Sequence, residues 1–84
     1  MADDRTVHAE TKYAEVVRYE RAGVWYVEDT PNSATPTCRT RMRLRHVVEW
    51  VTEQPQNEVT YHFGRQGGRL FDNYVKAELE RVAS

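Results

Sequence analysis

With 84 residues the chain has room for one core and no second module, so 1–84 is expected to fold as a single small domain. A hydrophobic fraction of 39%, nine aromatic residues and a charged fraction of 30% make it too apolar and too aromatic for a disordered chain. The net charge of −1 lacks the basic excess of a protein that binds nucleic acid non-specifically, and no apolar run approaches the length needed to span a bilayer.

Residues 1–11 show no steady period and carry Asp3, Asp4, Arg5 and Glu10, so they are expected to be a polar, frayed lead-in. That start has neither the n-region nor the h-region of a signal peptide, and a lone cysteine, Cys38, has no disulfide partner; a cytoplasmic protein is expected. From residue 12 to 21 the β-formers Tyr13, Val16, Val17 and Tyr19 predict a strand, although neither alternate set is cleanly apolar. Ala22-Gly23 marks a tight turn in which Gly23 can take positive φ, and residues 24–28 are the return strand. Residues 29–37 hold Pro31, Asn32, Ser33 and Pro36 and read as a mobile loop.

Next, Arg39, Arg41, Arg43 and Arg45 alternate with Thr40, Met42 and Leu44, a period of two that predicts a strand with one arginine face. The period then changes: Leu44, Val47, Val48 and Val51 have the i, i+3, i+4, i+7 spacing of a short helix over about 44–53 that stops before Pro55. After a turn at residues 54–57, Val59, Tyr61 and Phe63 alternate as a half-buried strand. Leu70, Phe71, Tyr74, Val75, Glu78, Leu79 and Val82 then predict an amphipathic helix over about 69–82. The expected fold is α+β, in the order β-β-β-α-β-α: a three- to four-stranded, mostly antiparallel sheet with both helices on one face.

Charge is uneven along the chain, with seven acids against four bases in residues 1–35 and three acids against six bases in residues 36–69. Side chains two apart on a strand are about 6.6–6.8 Å apart on one face, so the four arginines would form a cationic ladder roughly 20 Å long. A planar guanidinium pairs bidentately with carboxylate or phosphate, so an acidic protein or a nucleic acid would suit it. The alternative is a solvent-facing strand whose arginines pair with Glu15, Glu20 or Glu28 across the sheet, or guard an edge against aggregation.

In the segment Gly64-Arg65-Gln66-Gly67-Gly68-Arg69, between a strand and a helix, backbone N–H groups with Arg65 and Arg69 could hold an anion. It lacks the Lys-Ser/Thr ending of a P-loop and the dinucleotide glycine spacing, so a turn that needs two residues with unusual backbone angles before a helix is the preferred reading. Cys38, His46 and His62 have no zinc or catalytic spacing, so no metal, cofactor or catalytic residue is assigned. Most of the aromatics must fill the core. Trp50, off the main helical stripe, is the candidate for an exposed anchor, or else it widens the buried stripe.

Isoleucine is absent and arginine outnumbers lysine ten to two, the bias of a G+C-rich codon pool. In layout and composition the hairpin, the basic strand leading into a helix, and the stretch from Tyr61 to Phe71 resemble small accessory proteins of actinobacteria and their phages. That resemblance implies a small accessory protein that acts by binding host or phage components. With no catalytic spacing in the sequence, the expected function is non-enzymatic and works through protein-protein interaction, with nucleic-acid binding through the arginine stripe as the alternative. The small core and the aromatic surplus add an expectation of self-association as a homodimer. The residues expected to bind are Arg39, Arg41, Arg43, Arg45, Arg65, Arg69 and Trp50.

Overall fold

Residues 4–29 and 38–83 are described in this computed structural model. Strands β1 (Arg5–Glu10), β2 (Ala14–Tyr19), β3 (Val24–Asp29), β4 (Arg39–Met42) and β5 (Thr60–Tyr61) accompany helices α1 (Leu44–Thr52) and α2 (Arg69–Ala83). The strands form one antiparallel sheet in the order β4-β3-β2-β1-β5. The α+β class and the two helices match expectation, with five strands where three or four were anticipated. No helix among the described residues is long and apolar enough to cross a membrane.

The unexpected strand is β1, in the segment that reads as a frayed lead-in. Val7 pairs with Val17 and Ala9 with Val16, which leaves His8 as the extra residue of a bulge. A bulge breaks the period of two, so the alternation that marks a strand is not visible in the letters. Asp29 closes β3, and the rest of the expected loop, 30–37, lies outside the described residues. The strand expected around residues 59–63 shrinks to Thr60–Tyr61, because a single 3-10 turn at Gln56–Glu58 precedes it and a turn follows. Gly23 takes φ +65° in the hairpin turn, where its N–H donates to the Tyr19 carbonyl at 2.8 Å.

The two faces of the sheet differ in chemistry. Ala9, Val16, Trp25 and Val27 point to the helices and join Val47, Val48 and Val51 of α1 and Phe71 and Val75 of α2 in the core. Trp25 stacks on Phe71 at 5.2 Å between ring centroids, which fixes α2 on the same face as α1. The opposite face carries Arg5, Glu15, Val17, Tyr19, Tyr26, Glu28, Arg39 and Arg41, as the registers require. Val17 is fully buried there, between Val7 and Tyr26, so this face is a polar network over a small apolar patch.

Candidate functional site

The arginine stripe is shorter than its sequence pattern. Arg39 and Arg41 lie on β4, whereas Arg43 is the residue before α1 and Arg45 lies within that helix. The Arg43 carbonyl accepts from the N–H groups of His46 and Val47, which starts the helix, and burial of Val47, Val48 and Val51 holds it there. The expected four-rung ladder therefore has two rungs. The parity of the arginines continues only because the backbone changes period beneath it.

Each arginine has a different fate. Arg39 sits 3.8 Å from Glu28, donates to the Tyr19 hydroxyl at 3.3 Å and lies over the Tyr26 ring at 4.6 Å. Arg45 is 3.9 Å from Glu49 one helical turn on. Arg41, which faces Tyr26 across the register, and Arg43 make no ion pair among the described residues. These two line an open groove at the corner between β4 and α1, with Val24, Trp25, Met42 and Leu44 supplying apolar surface.

Glu28 explains why Arg39 is held and Arg41 is not. Its carboxylate, nearly buried, accepts from Arg5 at 2.8 Å and from the Tyr19 hydroxyl at 2.6 Å, and Arg5 also reaches Glu15 at 2.7 Å. Burial favours the neutral acid, but the bonds from Tyr19 and Arg5 outweigh it and hold the carboxyl below its usual range. Burial likewise opposes the charge on Arg5, and the bonds to Glu15 and Glu28 outweigh that and raise its pKa. The hydrogen bond to Glu28 pushes the Tyr19 phenol up. The pairing across the sheet that the sequence allowed as an alternative thus applies to Arg39 through Glu28, with Arg5 and Tyr19 as partners that the sequence did not single out.

The glycine-rich segment lies elsewhere. Arg65 donates to the Val7 carbonyl on β1 at 3.0 Å, and β1 is three strands from β4, about 14 Å at usual strand spacing. The Gly64 N–H donates to Asp72 Oδ2 at 2.9 Å, so the anion at this loop is the chain's own carboxylate. Gly67 has φ +79°, and a Cβ on Gly68 would come within 2.5 Å of His8 Nδ1. Conformation and close approach therefore account for these glycines. Arg69, at the start of α2, is exposed, and it does not join the β4 arginines.

Trp50 is half-buried and packs against the core, so it widens the buried stripe. The large exposed apolar residues are instead Tyr13, Phe63, Leu70, Tyr74 and Val82. Cys38 is exposed beside β4, His46 is exposed on α1, and His62 lies 3.6 Å from Glu10. Among the described residues no three of His, Cys, Asp and Glu gather as a metal site would require.

His8, which nothing in the sequence marks, is fully buried, and neither ring nitrogen has a hydrogen-bond partner among the described residues. It lies between Trp25 at 4.9 Å and Phe71 at 5.9 Å, and burial lowers its pKa. Comparison with protein-family models, with curated proteins and with solved structures finds no match to this chain.

Proposed function

We propose that this chain is a non-enzymatic binding protein, a bacterial or phage accessory protein that takes an acidic protein partner where β4 meets α1. The observation that carries this reading is the contrast among the arginines. Arg39 and Arg45 have carboxylates nearby, while Arg41 and Arg43 have no ion-pair partner among the described residues and line an open groove of mixed polar and apolar surface. A cation pair beside Trp25, Met42 and Leu44 suits a protein segment that brings both carboxylates and apolar side chains.

The test is affinity capture from a host lysate, followed by binding measurements with the captured protein. The double variant Arg41→Gln/Arg43→Gln should lose binding and keep its melting temperature, since exposed charges contribute about 0–1 kcal/mol each to stability. Unchanged binding would refute the reading.

Nucleic acid is the competing partner, and salt separates the two. Two arginines on phosphates release about two counterions, so affinity for a duplex should fall roughly tenfold between 50 and 200 mM salt. A protein partner that also contacts Trp25, Met42 and Leu44 in the groove should weaken far less. Self-association is a second reading favoured by the exposure of Leu70 and Tyr74 on α2. Light scattering of wild type and Tyr74→Lys tests it, and a monomer at all concentrations would dismiss it.

A further inference from the structure

Backbone parity along β4 adds a binding mode to the reading just given. The Asp29 N–H donates to the Cys38 carbonyl at 2.8 Å, which makes that opposed pair a hydrogen-bonded one. Hydrogen-bonded and non-bonded pairs alternate in an antiparallel ladder. With the register Val27 to Thr40 and Trp25 to Met42, the amides and carbonyls of Thr40 and Met42 therefore face β3, and those of Arg39 and Arg41 face away from the sheet. β4 is an edge strand, its residues Arg39, Thr40 and Arg41 are exposed, and no hydrogen bond from the described residues meets those outward groups. The residues with free backbone groups are thus the same residues whose guanidinium groups project on the open face.

We infer that β4 accepts a short extended segment of an acidic protein as a sixth strand, with carboxylates at alternate positions. The inference rests on the proposed function above and specifies how that partner is held. Backbone groups of the segment pair with those of Arg39 and Arg41 while its alternate side chains lie on the open face, with a carboxylate beside the unpaired Arg41 and the neighbouring position beside Arg39, which Glu28 already partly neutralises. The intervening side chains fall beside Thr40 and Met42 on the helix side, where small or apolar residues fit. Charge selects the occupant. In a two-fold pairing of β4 with β4 of a second copy, arginines would oppose arginines, and like charges directly opposite destabilise a sheet. Carboxylates in the same places reverse the sign. The strand is four residues long, so the complementary segment is equally short and its affinity depends on the alternation being in register.

The experiment uses the full chain and three synthetic peptides of alternating Glu and Val with blocked ends. One is unmodified, one is N-methylated at every Glu and one at every Val. An added strand turns one of these two sets of N–H groups to β4 and the other to solvent. Binding is followed by calorimetry, alongside Arg41→Gln with the unmodified peptide. One methylated isomer should bind about tenfold or more weakly while the other matches the parent. In antiparallel addition the weakened isomer is the one methylated at Glu. If both isomers bind like the parent and Arg41→Gln still weakens it, attraction of side chains alone holds the partner; strand addition is then overturned and the acidic-partner reading stands. If the parent peptide does not bind at up to about 1 mM, while a DNA duplex binds and is lost in Arg41→Gln/Arg43→Gln, both are overturned.

Discussion

Replacing Glu28 by Gln should move stability and partner binding in opposite directions. The substitution keeps the shape of the side chain and removes its charge. The Glu28 side chain is 9% exposed, and it accepts from Arg5 at 2.8 Å and from Tyr19 at 2.6 Å. A hydrogen bond to a charged group contributes about 1.5–3 kcal/mol. Gln retains one acceptor oxygen and Arg5 retains Glu15, so the expected loss is that of about one such bond, roughly 2 kcal/mol. For a chain of this size that lowers the melting temperature by about 8–16 °C. Arg39, 3.8 Å from the carboxylate, loses its counter-ion and becomes a third cation free for an acidic partner. Affinity should then rise about two- to fivefold, the worth of one exposed charge pair. Thermal unfolding by circular dichroism and peptide titration by calorimetry measure the two effects. A melting temperature within about 3 °C of wild type, or a folded variant that binds more weakly, would refute the reasoning.

His8 and Glu28 set separate pH windows. The buried imidazole has a pKa below its ordinary 6.5, so the unfolded chain takes up that proton first. Stability is therefore full above pH 6.5 and declines as pH falls below it through the lowered folded value. His8→Leu should flatten this limb in urea titrations at several pH values, and an unchanged slope would contradict the assignment. Glu28, lowered from 4.5, contributes stability above pH 4.5 that is lost at lower pH, and Glu28→Gln should remove that second decline. Gly68→Ala should cost about 1–3 kcal/mol by driving a Cβ into the His8 ring, and His8→Ala in the same chain should recover part of it, as a denaturation cycle would measure. Trp50→Ala should cost about 2 kcal/mol in denaturant unfolding, because the ring packs on the core, and leave acidic-peptide affinity unchanged.

The parts of the fold that follow from local chemistry were legible in the letters. Ala22-Gly23 between two runs of β-formers gives the hairpin of β2 and β3, and the helical spacing from Leu70 to Val82 gives α2. β1 was hidden because the bulge at His8 interrupts its alternation and because its charges, Arg5 and Glu10, read as solvent-exposed although Arg5 is spent on Glu15 and Glu28. The candidate binding face was half legible. Alternation located the arginines but carried no record of where the backbone turns from strand to helix, so Arg43 and Arg45 kept their parity after leaving the sheet. Which arginines are neutralised depends on Glu28 and Arg5, 23 residues apart in sequence and brought together by strand order alone. Trp50 illustrates the same limit, since a position off the main stripe is buried or exposed according to what packs beside it.

Resonances of the arginine Nε–Hε groups, followed while an acidic peptide is titrated into the full chain, test the central claim most directly. Before addition, Arg5 should show a slowly exchanging signal, because its Nε donates to Glu28 at 3.0 Å, while Arg41 and Arg43 exchange rapidly. On titration the signals of Arg41 and Arg43 should shift and slow their exchange together, with Arg45, Arg65 and Arg69 unmoved. Shifts confined to Arg65 and Arg69, or spread equally over every exposed arginine, would contradict the account.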